Sequence, residues 1–227
     1  MTDWTQNLLF RYDWRERNAS GHFVNIARRG LAEGDIDNFS GWAGDDSELV
    51  GTDFGQGVLL DGTKQQWHAA DDFADFTNQN FSLEFWVQII DFTHNNYLLR
   101  KHNGATTGYE VLVDTNGAIT VNTGNGAGLD TTTTNNGVVT ASHVHQILVT
   151  RVGALALVYV DGRPAGLAAV GAHAVIASSA AEPLYVYARN AATLNLDGYG
   201  GLVSGWEARA LSAADANERY SLRCGRT

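Results

Sequence analysis

At 227 residues the chain has the length of a single all-β sandwich and can bury roughly 70% of its unfolded surface. A net charge of −10 argues against nucleic-acid binding, which needs clustered Lys and Arg; Arg11, Arg15 and Arg17 are interleaved with Asp13 and Glu16 and read as a mixed solvated edge. No 18-residue apolar run offers a membrane span, the first ten residues lack the basic and apolar regions of a secretion signal, and the single cysteine, Cys224, excludes an internal disulfide.

Residues 8–12 (LLFRY) open the strands, and few are legible in the glycine- and acid-rich region 30–57. Residues 57–62 read as strand into turn, and 81–89 (FSLEFWVQI) as a long strand expected at the centre of a sheet. Further strands are predicted at 97–100, 108–114 and 118–121, with Thr115-Asn116-Gly117 as a hairpin signal. The tract 128–137 (GLDTTTTNNG) reads as a polar surface loop. Residues 147–151, 155–160 and the stretch after Asp161-Gly162 form an antiparallel meander. Near the C-terminus, Ser212 and Asp215 make a capping box for one short helix ending near Tyr220. Glycine is plentiful (25) and proline scarce (2), as many short turns require. These elements imply an all-β fold: two antiparallel sheets in a jelly-roll sandwich with one short C-terminal helix, spanning 1–227 as one domain.

In order along the chain, GVLLDG (57–62), FSLEFWV (81–87), VHQILVTR (144–151) and LVYVDG (157–162) resemble the strand motifs of the laminin-G-like, concanavalin-A-like jelly rolls. LYV (184–186), LDG (196–198) and RALS (209–212) continue the pattern into the terminal helix. The resemblance implies that Asp161-Gly162 is a structural hairpin turn. Two departures stand near the last strand: Gly200-Gly201-Leu202 replaces a frequent acidic pair, and the spacing from Asp197 to Ser212 is one residue longer. Lectins, receptor modules, glycosidases and viral proteins share this fold, so function has to be argued from a site.

Glycosidases on this fold are similar in carrying acids at alternating positions of one strand. Here the long strand has Glu84 alone, and Glu110 and Asp114 flank an apolar run and are expected at the surface; no catalytic residue is assigned. His143 and His145 stand two apart and could share a metal, but no third ligand is legible, and packing or edge hydrogen bonding is the favoured role. Between Glu33 and Asp61 lie eight acids and no Lys or Arg; Asp45, Asp46 and Asp53 are the calcium candidates, against a solvated or partner-facing acidic loop. Trp67, His68 and Tyr97, near strand ends, are the candidates for stacking on a sugar. No other cofactor is expected.

Domains resembling this one usually act outside cells, whereas this sequence shows neither secretion signal nor disulfide. The two facts meet in a non-catalytic bacteriophage virion protein, a decoration or adhesion component of capsid or tail made in the host cytoplasm. Its partners would be capsid or tail proteins or further copies of itself in a homo-oligomer, with host-surface carbohydrate as ligand. Segments 1–7 and 221–227 are the expected docking arms. A free carbohydrate-binding module or lectin is the alternative, and a divergent polysaccharide-degrading enzyme ranks third.

Overall fold

The computed structural model describes residues 3, 5–14, 23–28, 34–36, 38–40, 49–52, 55–189 and 195–224. In chain order the strands are β1 (Leu8–Tyr12), β2 (Asn38–Ser40), β3 (Leu49–Thr52), β4 (Gly55–Asp61), β5 (Gln65–His68) and β6 (Phe81–Ile89). They continue as β7 (Asn96–His102), β8 (Gly108–Val113), β9 (Ile119–Gly124), β10 (Leu129–Thr134), β11 (Val144–Val152) and β12 (Leu155–Val160). Then come β13 (Arg163–Pro164), β14 (Leu167–Ala169), β15 (Leu184–Val186), β16 (Asp197–Glu207) and helix α1 (Ala213–Cys224).

Among the described residues these strands form two antiparallel sheets of eight. The first runs β13-β12-β11-β6-β16-β4-β3, with β1 also paired to β16; the second runs β14-β10-β9-β8-β7-β15-β5-β2. The expected jelly-roll sandwich is therefore present, with β6 central between β11 and β16. Alternation across the pleat builds the core: Leu83, Phe85 and Val87 of β6 face Tyr109, Val111 and Val113 of β8 among the buried residues between the sheets. Each such side chain contributes roughly 1.5–3 kcal/mol when buried.

The Asp161-Gly162 turn joins β12 to β13 with φ of 51° and 76°. Two successive positive φ values are the mark of a type I′ hairpin, whose twist suits antiparallel strands. The Asp161 carboxylate accepts the Gln146 backbone N–H (2.9 Å) and binds His145 Nδ1 (2.8 Å), so it ties down the start of β11.

The structure corrects the reading of 128–137 as a loop, since β10 fills most of that tract. Its threonines alternate like any strand. Thr132 Oγ1 lies 2.8 Å from Nε2 of buried His173, Thr134 Oγ1 accepts the Ile119 N–H (2.8 Å), and Thr131 and Thr133 point the other way. A β-branched side chain suits the pleat, and its hydroxyl needs only a partner to be buried. The longer spacing near the last strand also has a cause, because β16 shifts register against β6 between Gly200 and Val203. Gly200 is required there: a Cβ would come 2.4 Å from the Tyr187 ring.

Helix α1 covers the outer face of the first sheet. Ser212 and Asp215 cap it reciprocally, the Ser212 N–H donating to Oδ2 (2.7 Å) and the Asp215 N–H to Oγ (3.3 Å). The helix continues past Tyr220 to Cys224, because its last turns still find partners: Tyr220 stacks on Trp86 at 6.0 Å and Arg223 lies over the same ring at 5.1 Å. Within the proposed C-terminal arm, residues 221–224 continue the helix; Arg223 packs on Trp86, while Ser221, Leu222 and Cys224 are exposed. At the other end Arg209 Nη1 donates to the carbonyls of Asp3 (2.8 Å) and Gln6 (3.0 Å), holding the described part of the N-terminal arm.

Beneath the helix lies Glu84, 1% exposed. Its carboxylate accepts from the Arg219 guanidinium, Gln146 Nε2 (2.6 Å) and Trp86 Nε1 (3.3 Å), while Arg219 sits 4.6 Å over the Trp206 ring. Burial by itself raises the Glu84 pKa, but the Arg219 charge and these hydrogen bonds outweigh it and hold the carboxyl below its ordinary value. Replacing Arg219→Met strands a buried carboxylate and should cost about 3 kcal/mol in urea unfolding at pH 7. A depressed carboxyl pKa stabilises the fold above the ordinary value of 4.5, so the deficit should shrink as pH falls below it. A deficit that does not change with pH would show that Glu84 is not the group responsible.

Candidate functional site

The outer face of the second sheet is built by cross-strand register. Trp67 of β5 pairs with Tyr185 of β15, Tyr185 with Arg100 of β7, Arg100 with Glu110 of β8, Glu110 with Asn122 of β9, and Asn122 with Thr131 of β10. Six strands thus place one residue each in a line across the sheet, about 24 Å long at the usual strand spacing. Their chain neighbours point inward: His68, Leu184, Lys101, Val111, Val121 and Thr132 are all buried.

Hydrogen bonds link the polar part of the row. Arg100 Nε donates to Glu110 Oε2 (3.2 Å), Asn122 Nδ2 to Glu110 Oε1 (2.9 Å), and Thr131 Oγ1 to Asn122 Oδ1 (2.7 Å). At the other end the Trp67 and Tyr185 rings lie 5.6 Å apart and are half-buried. The centre is recessed: Arg100 is 3% exposed and Glu110 7%. Tyr97 and Leu112, a facing pair on the same side, flank it, and Arg189 lies 5.3 Å over the Tyr97 ring. Burial and the Glu110 charge raise the Tyr97 pKa, while Arg189 and Arg100 oppose them.

His102, two residues beyond Arg100, also faces this side. Its Nδ1 accepts the Gly104 N–H (2.7 Å), which leaves the proton of the neutral ring on Nε2, and Nε2 is buried with no hydrogen-bond partner. Burial lowers its pKa, opposed by Glu110 and assisted by Arg100.

Of the three aromatic candidates, Trp67 and Tyr97 lie on this face and His68 does not. His68 points into the sandwich, with Nδ1 2.8 Å from the Asp35 carbonyl and Nε2 2.8 Å from Asp71. Glu110 is not a surface residue; a cross-strand guanidinium and amide have drawn it into the sheet. Asp114 caps its own turn, accepting the N–H groups of Asn116 (2.8 Å) and Ala118 (3.0 Å). Exposed His143 contacts the Ala141 carbonyl, whereas His145 binds Asp161 and Thr140, so the two rings face different partners. Among the described residues no three His, Cys, Asp or Glu side chains are grouped to hold a metal. Asp45, Asp46 and Asp53 lie outside the described residues. Asp35 and Asp61, from the same acidic stretch, accept from the Asn25 N–H (2.8 Å) and from Thr63 (2.7 Å) respectively.

Arg100, His102, Asn122 and Tyr185 were missed in the sequence. The usable signal was the parity of β7 and β8, which sets Arg100 and Glu110 on the face opposite Leu99 and Val111. The two buried histidines, His102 and His173, share a consequence. Burial lowers both pKa values below the ordinary 6.5, so the unfolded chain takes up protons first and stability should fall as pH drops through that value. Thermal melts between pH 8 and 5 should show this decline, and His102→Gln should make it shallower; an unchanged slope would count against a neutral His102.

The family model of the concanavalin A-like lectin/glucanases superfamily, laminin G type, matches residues 61–217. No curated protein matches the sequence. Solved structures match in fold. Trypanosoma rangeli sialidase in complex with sialic acid has a TM-score of 0.63 at 16% identity, over 96% of this chain and 33% of that one. The binding domain of Paraclostridial Mosquitocidal Protein 1 gives 0.66 at 10%, over 96% and 52%. Domain 4 of AbnA, a GH43 extracellular arabinanase from Geobacillus stearothermophilus, in complex with arabinotriose, gives 0.58 at 11%, over 93% and 97%. The chain therefore spans about a third of the sialidase and nearly all of the arabinanase domain. Both the ordered core between the sheets and the family match over more than half of the sequence lead to one conclusion: the chain belongs to the concanavalin A-like lectin/glucanase superfamily, in its laminin-G-like branch.

Proposed function

We propose that this chain is a non-catalytic carbohydrate-binding protein and that the row from Trp67 to Thr131 is its ligand face. The observation that carries this reading is the register itself, which sets an open aromatic pair in line with a hydrogen-bonded polar row. Sugars present apolar CH faces and a rim of hydroxyls, so such a surface offers both kinds of contact. The arabinanase domain, of similar extent and bound to arabinotriose, supports the class of ligand.

The carboxylates support the non-catalytic part. Glycoside hydrolysis uses two of them astride the scissile bond. In this row Glu110 is the single one, and both its oxygens already accept hydrogen bonds.

Our reading extends to display on a virion surface in repeated copies, where weak single contacts would gain strength through avidity. A fold held by packing and ion pairs, with Cys224 as its single cysteine, suits assembly in a reducing cytoplasm. Mass spectrometry of purified particles and light scattering of the isolated protein test this extension; a monomer missing from every particle would leave a free lectin.

Binding itself is tested on a glycan array. Wild type should bind a subset of glycans, and Trp67→Ala should weaken that binding by about tenfold or more, equivalent to roughly 1.4 kcal/mol, without loss of melting temperature. No binding to any glycan would sink the proposal, and release of reducing ends from a bound polysaccharide would overturn its non-catalytic half.

A further inference from the structure

We infer that the sugar chain bound on this face carries a carboxylate, as a uronic or sialic acid does, and that Arg100 and Arg189 receive it; this rests on the carbohydrate-binding reading above. The argument starts from which polar atoms the fold leaves unused. Glu110 is spent on both oxygens, and Asn122 donates to Glu110 and accepts from Thr131. What remains at nitrogen is donors. Arg100 engages Glu110 through Nε alone; its two amino nitrogens bond to nothing in the structure, yet are not sealed from solvent. His102 Nε2, which holds the proton because Nδ1 accepts from Gly104, is buried and unpartnered, and so is Arg189 Nε.

The unpaired nitrogens are all donors, and the Tyr97 and Tyr185 hydroxyls can donate or accept, so donors are in excess and the face selects a ligand that brings acceptors. Charge narrows the choice. Around Tyr97 stand the guanidiniums of Arg100 and Arg189 and the one carboxylate of Glu110, with Glu182 farther along, towards Tyr185. The centre of the face therefore holds one positive charge in excess, on a chain of net charge −10. The amino edge of a guanidinium held through Nε is the geometry that meets a carboxylate with two parallel hydrogen bonds.

The test is calorimetry with matched pairs that differ in one charge: trigalacturonate against its methyl ester, and 3′-sialyllactose against lactose. In at least one pair the acid should bind tenfold or more tightly than its neutral counterpart, a preference that shrinks with added NaCl. Arg189→Gln, at a half-buried position, should bring the acid-to-neutral ratio close to one, and so should Arg100→Gln if it folds. Trp67→Ala should weaken both members of a pair and keep the ratio. Equal affinity for acid and neutral sugars, or array binding confined to neutral glycans, overturns the carboxylate inference and leaves carbohydrate binding standing. Absence of binding to all four probes and to the whole array overturns both.

Discussion

Glu84 sits at 1% exposure on the outer face of the first sheet, where an unpaired carboxylate could not remain ionised. Its charge is met by Arg219, on the far side of the chain, and the pair holds only if helix α1 lies flat across the sheet. Trp86, Trp206 and Tyr220 then close over the polar centre. A two-sheet sandwich has two outer faces, and the helix covers part of one of them.

The outer face of the second sheet treats its charged groups differently, although each face leaves some polar atoms over, Gln146 Oε1 beside Glu84 among them. Under the helix, Glu84 accepts three donors from three residues. On the second sheet, guanidinium and imidazole nitrogens are left with partners missing. Buried polar atoms without partners are costly in a folded protein, which is why those on this face call for an explanation. The histidines illustrate the contrast. His173 places a threonine hydroxyl at each ring nitrogen and is structural, while His102 has one nitrogen satisfied and the other bare.

Parity along a strand explains both what was legible of the site and what was misassigned. Trp67 and His68 are adjacent in β5, so they must face opposite sides, and only one could ever meet a ligand with Tyr97. Glu110 looked like a surface acid because its neighbours in sequence are apolar, whereas its partners, Arg100 and Asn122, come from the flanking strands. The threonine tract looked like a loop because four consecutive polar residues carry no hydrophobic alternation, although in β10 they alternate between His173 and the outer row. In each case the local signal was read correctly as polar, and what the polarity was for depended on a neighbouring strand.

The amino-acid sequence on its own determined the jelly-roll class, the order of most strands, the Asp161-Gly162 hairpin and the capped terminal helix, because turns, caps and side-chain alternation are set by residues a few positions apart. Only the tertiary structure decided that β15 inserts between β7 and β5, putting Tyr185 between Arg100 and Trp67. It alone paired Glu84 with Arg219, 135 residues later. The physical reason is that register between strands distant in the chain is chosen by the packing of the whole core and by the hydrogen bonds closed across it, and no local periodicity encodes that choice.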